Sequence, residues 1–287
     1  MEDSTQGRPR VALIQFPGSN CEWESQRAAE AAGMSCDIFR WNRDPAGLVE
    51  YHGYIIGGGF SYQDRVRSGV IATKEPIVAT MFEQVTEYDK PVLGICNGAQ
   101  VLVEAGLIPG LEPGLVQMGL APNYPDPAGR IGDFCCRWVY LKHSCQSGRC
   151  ALSSEMPADY IWPVPIAHGE GRFTTRDPQI IAQLHANDQI VFQYCDADGH
   201  IDDSPEINPN GAMENIAGLC NPAGNVLAMM PHPERASFIR QIPSELTNEW
   251  GQRKRQAWGK VEAMQQPGPG RLIFESLRQA LLVPACT

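Results

Sequence analysis

Nowhere in these 287 residues is there an uninterrupted apolar run of membrane-spanning length, so no helical bilayer crossing is expected. A basic excess is missing as well. The formal net charge is −10, whereas a sequence-independent nucleic-acid binder needs a basic stripe to offset phosphate. The polar stretch Met1–Pro9 holds no apolar segment followed by a cleavage site. No secretory signal is visible there, and a cytoplasmic protein with a disordered tail over 1–9 is the expectation. Ten cysteines are present, but two C-x2–4-C units that could pair around a metal are not. Cys135, Cys136, His143, Cys145 and Cys150 crowd together without them, so no metal site is expected and most thiols read as free and buried. Internal repeats, low-complexity tracts and interdomain linkers are absent too. Residues 10–287 therefore read as one domain, for which 43% hydrophobic and 20% charged residues are ordinary material.

What is there is an alternation of strands and helices. Arg10–Phe16 is a short apolar run ended by Pro17-Gly18, the pattern of a buried strand. Ser19-Asn20 offers a cap to a helical pattern over Cys21–Ala32 that Gly33 closes. Strand patterns follow at Met34–Phe39, at Tyr51–Ile56, which runs into Gly57-Gly58-Gly59, and at Pro91–Ile95. Helical patterns cover Glu75–Tyr88 and Ala99–Ala105. Such alternation with short links predicts an α/β fold: an open, mostly parallel sheet with helices on both faces. After Pro109 the rhythm changes. Turn-rich Gly110–Gly132 precedes Phe134–Leu141, Ile161–Ala167, Ile190–Tyr194, Asn215–Leu219 and Val226–Met230, whose spacing predicts antiparallel strands or hairpins appended to the sheet. Ile239–Gly268 is polar and basic and reads as an exposed insertion. Arg271–Leu282 reads as a docked amphipathic helix.

The strongest local signal is Gly94-Ile95-Cys96-Asn97-Gly98, where a buried strand turns sharply into a helix. G-x-C-x-G follows the logic of the G-x-S-x-G nucleophile elbow: the tight turn strains the middle residue and lifts its side chain above the carboxyl edge of the sheet, while glycines remove clashing Cβ atoms. The helix N-terminus presents unpaired N–H groups to the sulfur, and the Asn97 N–H can meet a developing oxyanion. A thiol nucleophile needs a base, and the base an orienting partner. His232, in Met230-Pro231-His232-Pro233-Glu234-Arg235, follows a strand directly and is stiffened by prolines on both sides. Glu234, two residues on, shares its face in extended chain. Gly58 or Gly59 can supply a second oxyanion N–H. Their cluster is no dinucleotide fingerprint, since Tyr62 occupies the third glycine's place, and no Walker lysine follows. The assignment demands that Cys96 and His232, distant along the chain, lie side by side at one rim of the sheet beside an opening that admits an amino acid.

Together these residues resemble the class I (triad) glutamine amidotransferases, and among them the glutaminase subunits of phosphoribosylformylglycinamidine synthase. The resemblance spans nearly the whole chain. It is carried by Pro17-Gly18-Ser19-Asn20-Cys21, Gly58 through Tyr62, Gly94 through Gln100, Pro165 through Arg172, Asn208 through Gly211 and Met229 through Arg235. It implies a flavodoxin-like glutaminase fold with Cys96 as nucleophile, His232 as base and Glu234 as orienting acid. It further implies an oxyanion hole from Gly58 or Gly59 and Asn97, with Gln100 helping to bind glutamine. His168 and Glu170 are placed near the active site or the partner interface, with no role derivable from the residues. The implied partners are a PurL-type synthetase, which binds ATP and Mg, and a small bridging PurS-type subunit. No cofactor is expected on this chain. The sequence departs from the family at Gln63, where glycine is usual, at Ala99, where an aromatic is common, and in the length of Ile239–Gly268. A stand-alone cysteine hydrolase or a non-catalytic binding subunit of the same fold are the alternatives.

Overall fold

Strand β1 (Arg10–Gln15) buries Val11 through Ile14 without alternation, as a strand covered on both faces must. A computed structural model describes residues 7–124 and 133–282. The expected tail thus falls outside the described residues over 1–6, as does the 125–132 part of the turn-rich stretch. Helix α1 (Glu22–Ala31) links β1 to β2 (Ser35–Arg40), and β3 (Gly53–Ile56), α2 (Pro76–Thr86), β4 (Val92–Ile95) and α3 (Asn97–Glu104) continue the alternation. Ser19 and Asn20 do not cap α1. The Ser19 hydroxyl instead accepts from the Phe16 N–H at 3.1 Å, and the Asn20 carbonyl faces the Cys21 thiol, because this loop is folded around the glycines that follow β3.

The second half contributes β5 (Gly119–Ala121), β6 (Cys135–His143), β7 (Ile161–His168), β8 (Arg172–Thr174), α4 (Pro178–Ala186), β9 (Ile190–Cys195), β10 (Ile216–Cys220) and β11 (Val226–Met229). Nine strands form one sheet in the order β2-β1-β3-β4-β11-β10-β9-β6-β7, while β5 and β8 pair separately. The first five are mutually parallel and the rest antiparallel. Val226–Met229 does form the expected hairpin with β10. Its other edge, however, pairs parallel with β4, so that Ile95 stands opposite Met229.

Both faces carry helices. A Cβ at Gly53 would meet Leu281 of α7 (Arg271–Leu282) at 2.7 Å on one face, and a Cβ at Gly94 would meet Leu102 of α3 at 2.4 Å on the other. Alternation along β3 and the pairing of Ile56 with Gly94 assign these glycines to opposite faces. Segment Ile239–Gly268 is not the exposed insertion that its composition suggests. It folds into α5 (Glu249–Gln256) and α6 (Val261–Met264) and buries Ile239, Ile242, Trp250 and Ala257. Polar and charged side chains make up most of the segment, whereas four spaced apolar residues decide its packing.

Candidate active site

The backbone at Cys96 has φ +52° and ψ −106°, a left-handed conformation that a non-glycine residue holds only when its surroundings impose it. Three contacts do so. The Cys96 N–H donates to Met229 O at 2.8 Å, tying the turn to β11. A Cβ at Gly98 would lie 1.9 Å from Ile56 O, and the one at Gly94 would lie 2.8 Å from Gly98 O, so the crossing of α3 over β3 and β4 requires both glycines. The sulfur points toward Ala167 O at 3.6 Å. Cys96 thereby stands at the carboxyl ends of the parallel strands, with the Asn97 N–H at the first turn of α3.

Because β11 adjoins β4, the chain leaving β11 delivers His232 to the same rim. Its N–H donates to Pro165 O at 2.9 Å, and Nδ1 meets Glu234 Oε1 at 2.6 Å with both side chains buried. Burial works against an imidazolium here. The Glu234 carboxylate, then the charge of Cys96 and hydrogen bonds with the Cys21 and Cys96 thiols, more than reverse it and raise the His232 pKa well above its ordinary value. The ring is hemmed in: a Cβ at Gly58 would sit 2.8 Å from His232 Cε1 and 3.0 Å from Cys21 Sγ. Gln241, from the docked segment, donates to Glu234 O at 2.9 Å and braces the acid.

Gly58 and Gly59 lie against the loop after β1. Gly58 O accepts from the Asn20 and Cys21 N–H groups, and Gly59, at φ +148°, would place a Cβ 2.6 Å from Ser19 Cα. Asn97 Oδ1 accepts from the Ser61 N–H at 3.0 Å, joining this glycine loop to the elbow. The chain then runs through Tyr62, Gln63 and Asp64, all left-handed. Gln63 at φ +61° occupies a conformation that glycine adopts without strain, which fits the glycine that the resemblance implies at this position. Ala99 is fully buried.

A cavity of about 300 Å³ opens beside Cys96, with Gly59, Gln100, Ala167, His168 and Glu170 among its walls. That is room for one amino acid. Gln100 lines it, but its amide is engaged at both ends, accepting from Asn97 Nδ2 at 2.8 Å and donating to Glu170 O at 2.7 Å. His168 is buried beside the cavity. Its ring contacts Asn123 Oδ1 at 3.1 Å, and burial followed by the charge of His232 lowers its pKa to about 3. The Asn208–Gly211 block acts at one remove, Asn210 Nδ2 donating to Gly171 O at 2.8 Å and holding the loop after His168.

Cys21, Arg235, Asp64, Ser68 and Asn123 also belong to this neighbourhood, although none was singled out from the sequence as a site residue. Arg235 donates to Cys21 Sγ at 2.9 Å. Cys21, His232 and Glu234 bring ligand atoms within 4.8 Å of one another. A guanidinium already on the sulfur, and a carboxylate already on the imidazole, fit a hydrogen-bonded cluster better than a cation site. Cys21 and Arg235 lie inside the quoted blocks, which was the available signal; Asn123 lies in no motif. The crowded cysteines are divided. His143 Nε2 approaches Cys145 Sγ at 3.4 Å, while Cys135 lies at the opposite end of β6.

Residues 8–276 match the model of the CobB/CobQ-like glutamine amidotransferase domain. The chain belongs to this family. Among curated amidotransferase relatives it is 45% identical over 272 residues to "Phosphoribosylformylglycinamidine synthase subunit PurQ" of Methanothrix thermoacetophila, covering 94% of this chain and 97% of the relative. The Pyrococcus furiosus protein of the same description is 40% identical over 234 residues, covering 79% of this chain and 89% of its own. Among solved structures, a chain of "Structure of PurLQS from Thermotoga maritima" superposes with a TM-score of 0.65 at 28% identity, covering 94% of this chain and 97% of that one.

Proposed function

We propose that this amidotransferase is the glutaminase subunit of a phosphoribosylformylglycinamidine synthase, hydrolysing glutamine to glutamate and supplying ammonia for purine biosynthesis. Relatedness to PurQ proteins along almost the entire chain supports the identity of the complex. The observation that carries the chemistry is the strained Cys96 beside the buried His232–Glu234 pair, at a cavity the size of an amino acid.

In this reading His232 takes the Cys96 proton and the thiolate attacks the side-chain carbonyl of glutamine. The tetrahedral oxyanion is met by the Asn97 N–H and by that of Gly58 or Gly59. His232 returns the proton to the departing nitrogen, leaving a thioester on Cys96. Water activated by the same imidazole hydrolyses it. Glu234 keeps the Nδ1 proton in place and stabilises the imidazolium. Ammonia would protonate in bulk water, so it passes through protein to a PurL-type synthetase. ATP and Mg bind on that synthetase, and a small PurS-type subunit bridges the two. Residues 10–287 act as one cytoplasmic glutaminase domain. The test is to co-purify the complex and assay Cys96→Ser with glutamine and with ammonium. Synthesis should persist with ammonium alone. Loss of both activities contradicts this division of labour, and glutaminase turnover indifferent to added synthetase favours a stand-alone hydrolase.

A further inference from the structure

Resting on the glutaminase reading and deepening it, we infer that Asp64 and Glu170 form the receptor for the α-ammonium group of free glutamine and so determine specificity for the unmodified amino acid. Both residues line the cavity that holds Cys96, and both are half-buried there. Their present contacts are neutral donors: Asp64 Oδ1 receives Asn97 Nδ2 at 3.4 Å, and Glu170 Oε2 receives the Ser68 N–H at 3.3 Å. Among the described residues neither has a Lys, Arg or His ion-pair partner. The cation nearest to acting on Glu170, Arg67, is committed to Glu104 at 2.6 Å. Two neighbouring carboxylates in a partly desolvated pocket call for more positive charge than Arg67, shared with Glu104, supplies. Burial, and then the charge of Glu170, push the Asp64 carboxyl up to about 6, as expected of a site awaiting a cation.

A second feature of the same cavity points to a ligand rich in N–H groups. Asn123 Nδ2 donates to His168 O at 2.9 Å and to Asp133 O at 3.0 Å, which fixes Oδ1 as the acceptor facing the imidazole. His168 Nδ1 therefore carries the proton and Nε2 is a bare acceptor, buried and, among the described residues, without a partner. A Cβ at Gly171 would lie 2.2 Å from the ring, so glycine there is what lets the imidazole occupy this position. His168 lines the same cavity as Cys96 and follows Ala167, whose carbonyl the Cys96 sulfur meets at 3.6 Å, which puts this acceptor toward the reacting end, where the carboxamide nitrogen of the substrate arrives. Asp64 and Glu170 meet at Ser68 and await the amino acid's other nitrogen. Free glutamine satisfies both sets at once; its des-amino analogue glutaramate leaves the carboxylates unpaired.

The experiment compares ammonia release from glutamine and from glutaramate by the assembled complex, as the ratio of their kcat/KM values. Asp64→Asn and Glu170→Gln should each lower that ratio about 10- to 100-fold, the range for a lost charged hydrogen bond, chiefly by raising KM for glutamine rather than lowering kcat. Ammonium-dependent synthesis by the same preparations verifies that the variants fold and dock. A ratio unchanged in both variants, or KM values rising alike for the two substrates, overturns the inference while leaving the glutaminase reading intact. A wild-type complex that releases ammonia from neither substrate overturns the glutaminase reading and the receptor with it.

Discussion

The two halves of the sheet contribute to the site by different means. In the parallel half, β2-β1-β3-β4-β11, the proposed chemistry is built from backbone: a left-handed cysteine, glycines that permit close crossing, a helix N-terminus, and a histidine carried in by the adjacent strand. The antiparallel half contributes side chains at and just after the end of β7, where His168 and Glu170 line the cavity and Asn123 holds the His168 ring. In the proposed reading the parallel half presents the reacting groups by geometry that tolerates little substitution, while the pocket that admits the substrate draws His168 and Glu170 from the antiparallel half and Asp64 from the loop after β3.

That contrast is broken most directly by Cys96→Ser, which should reduce glutamine-dependent synthesis on the order of 10⁴-fold or more while ammonium-dependent synthesis persists. Glu234→Gln should follow, with kcat lower on the order of 10²- to 10⁴-fold and KM little changed, because the amide cannot hold the Nδ1 proton or stabilise the imidazolium. A pre-steady-state burst of ammonia that outlives steady turnover would locate the defect in thioester hydrolysis and sharpen the assignment; an unaltered kcat would break it. Gly98→Ala should cost about 1–3 kcal/mol in denaturant unfolding, since its Cβ meets backbone rather than a yielding side chain. A fully stable variant would mean that the elbow is not over-determined.

The antiparallel half is probed more gently by pH. His168 titrates at about 3 in the fold against an ordinary 6.5, so between those values the unfolded chain binds a proton that the folded chain refuses. Stability from this site is complete above pH 6.5 and declines as pH falls, by at most ~1.4 kcal/mol per unit. His168→Gln should flatten the dependence of unfolding free energy on pH between 6.5 and 4. An identical slope would show that His168 is not held neutral.

Much of this was legible in the chain because it is local. Gly94 through Gly98 encodes its own turn, and His232 and Glu234 are two residues apart, so motif and spacing name the candidate triad that the fold brings together. The boundaries of β1, α1, β2 and β4 fall within one or two residues of the apolar runs. Two readings failed for the opposite reason. The capping expected of Ser19 and Asn20 was replaced by the claims of a loop 40 residues away, and Ile239–Gly268 was judged by its charges when four buried residues dock it.

What the sequence determined by itself was the kind of chemistry and the candidate groups proposed for it, since an elbow glycine or a proline-flanked histidine acts through its immediate neighbours. What only the tertiary structure decided was company. The insertion of β11 beside β4 brings Cys96 and His232 together, Arg235 turns onto Cys21, and the loops after β3 and β7 set Asp64 and Glu170 around one cavity. Those neighbours arise from strand order and loop path, which no spacing along a chain prescribes, because pairing energies between distant segments depend on the whole sheet that forms.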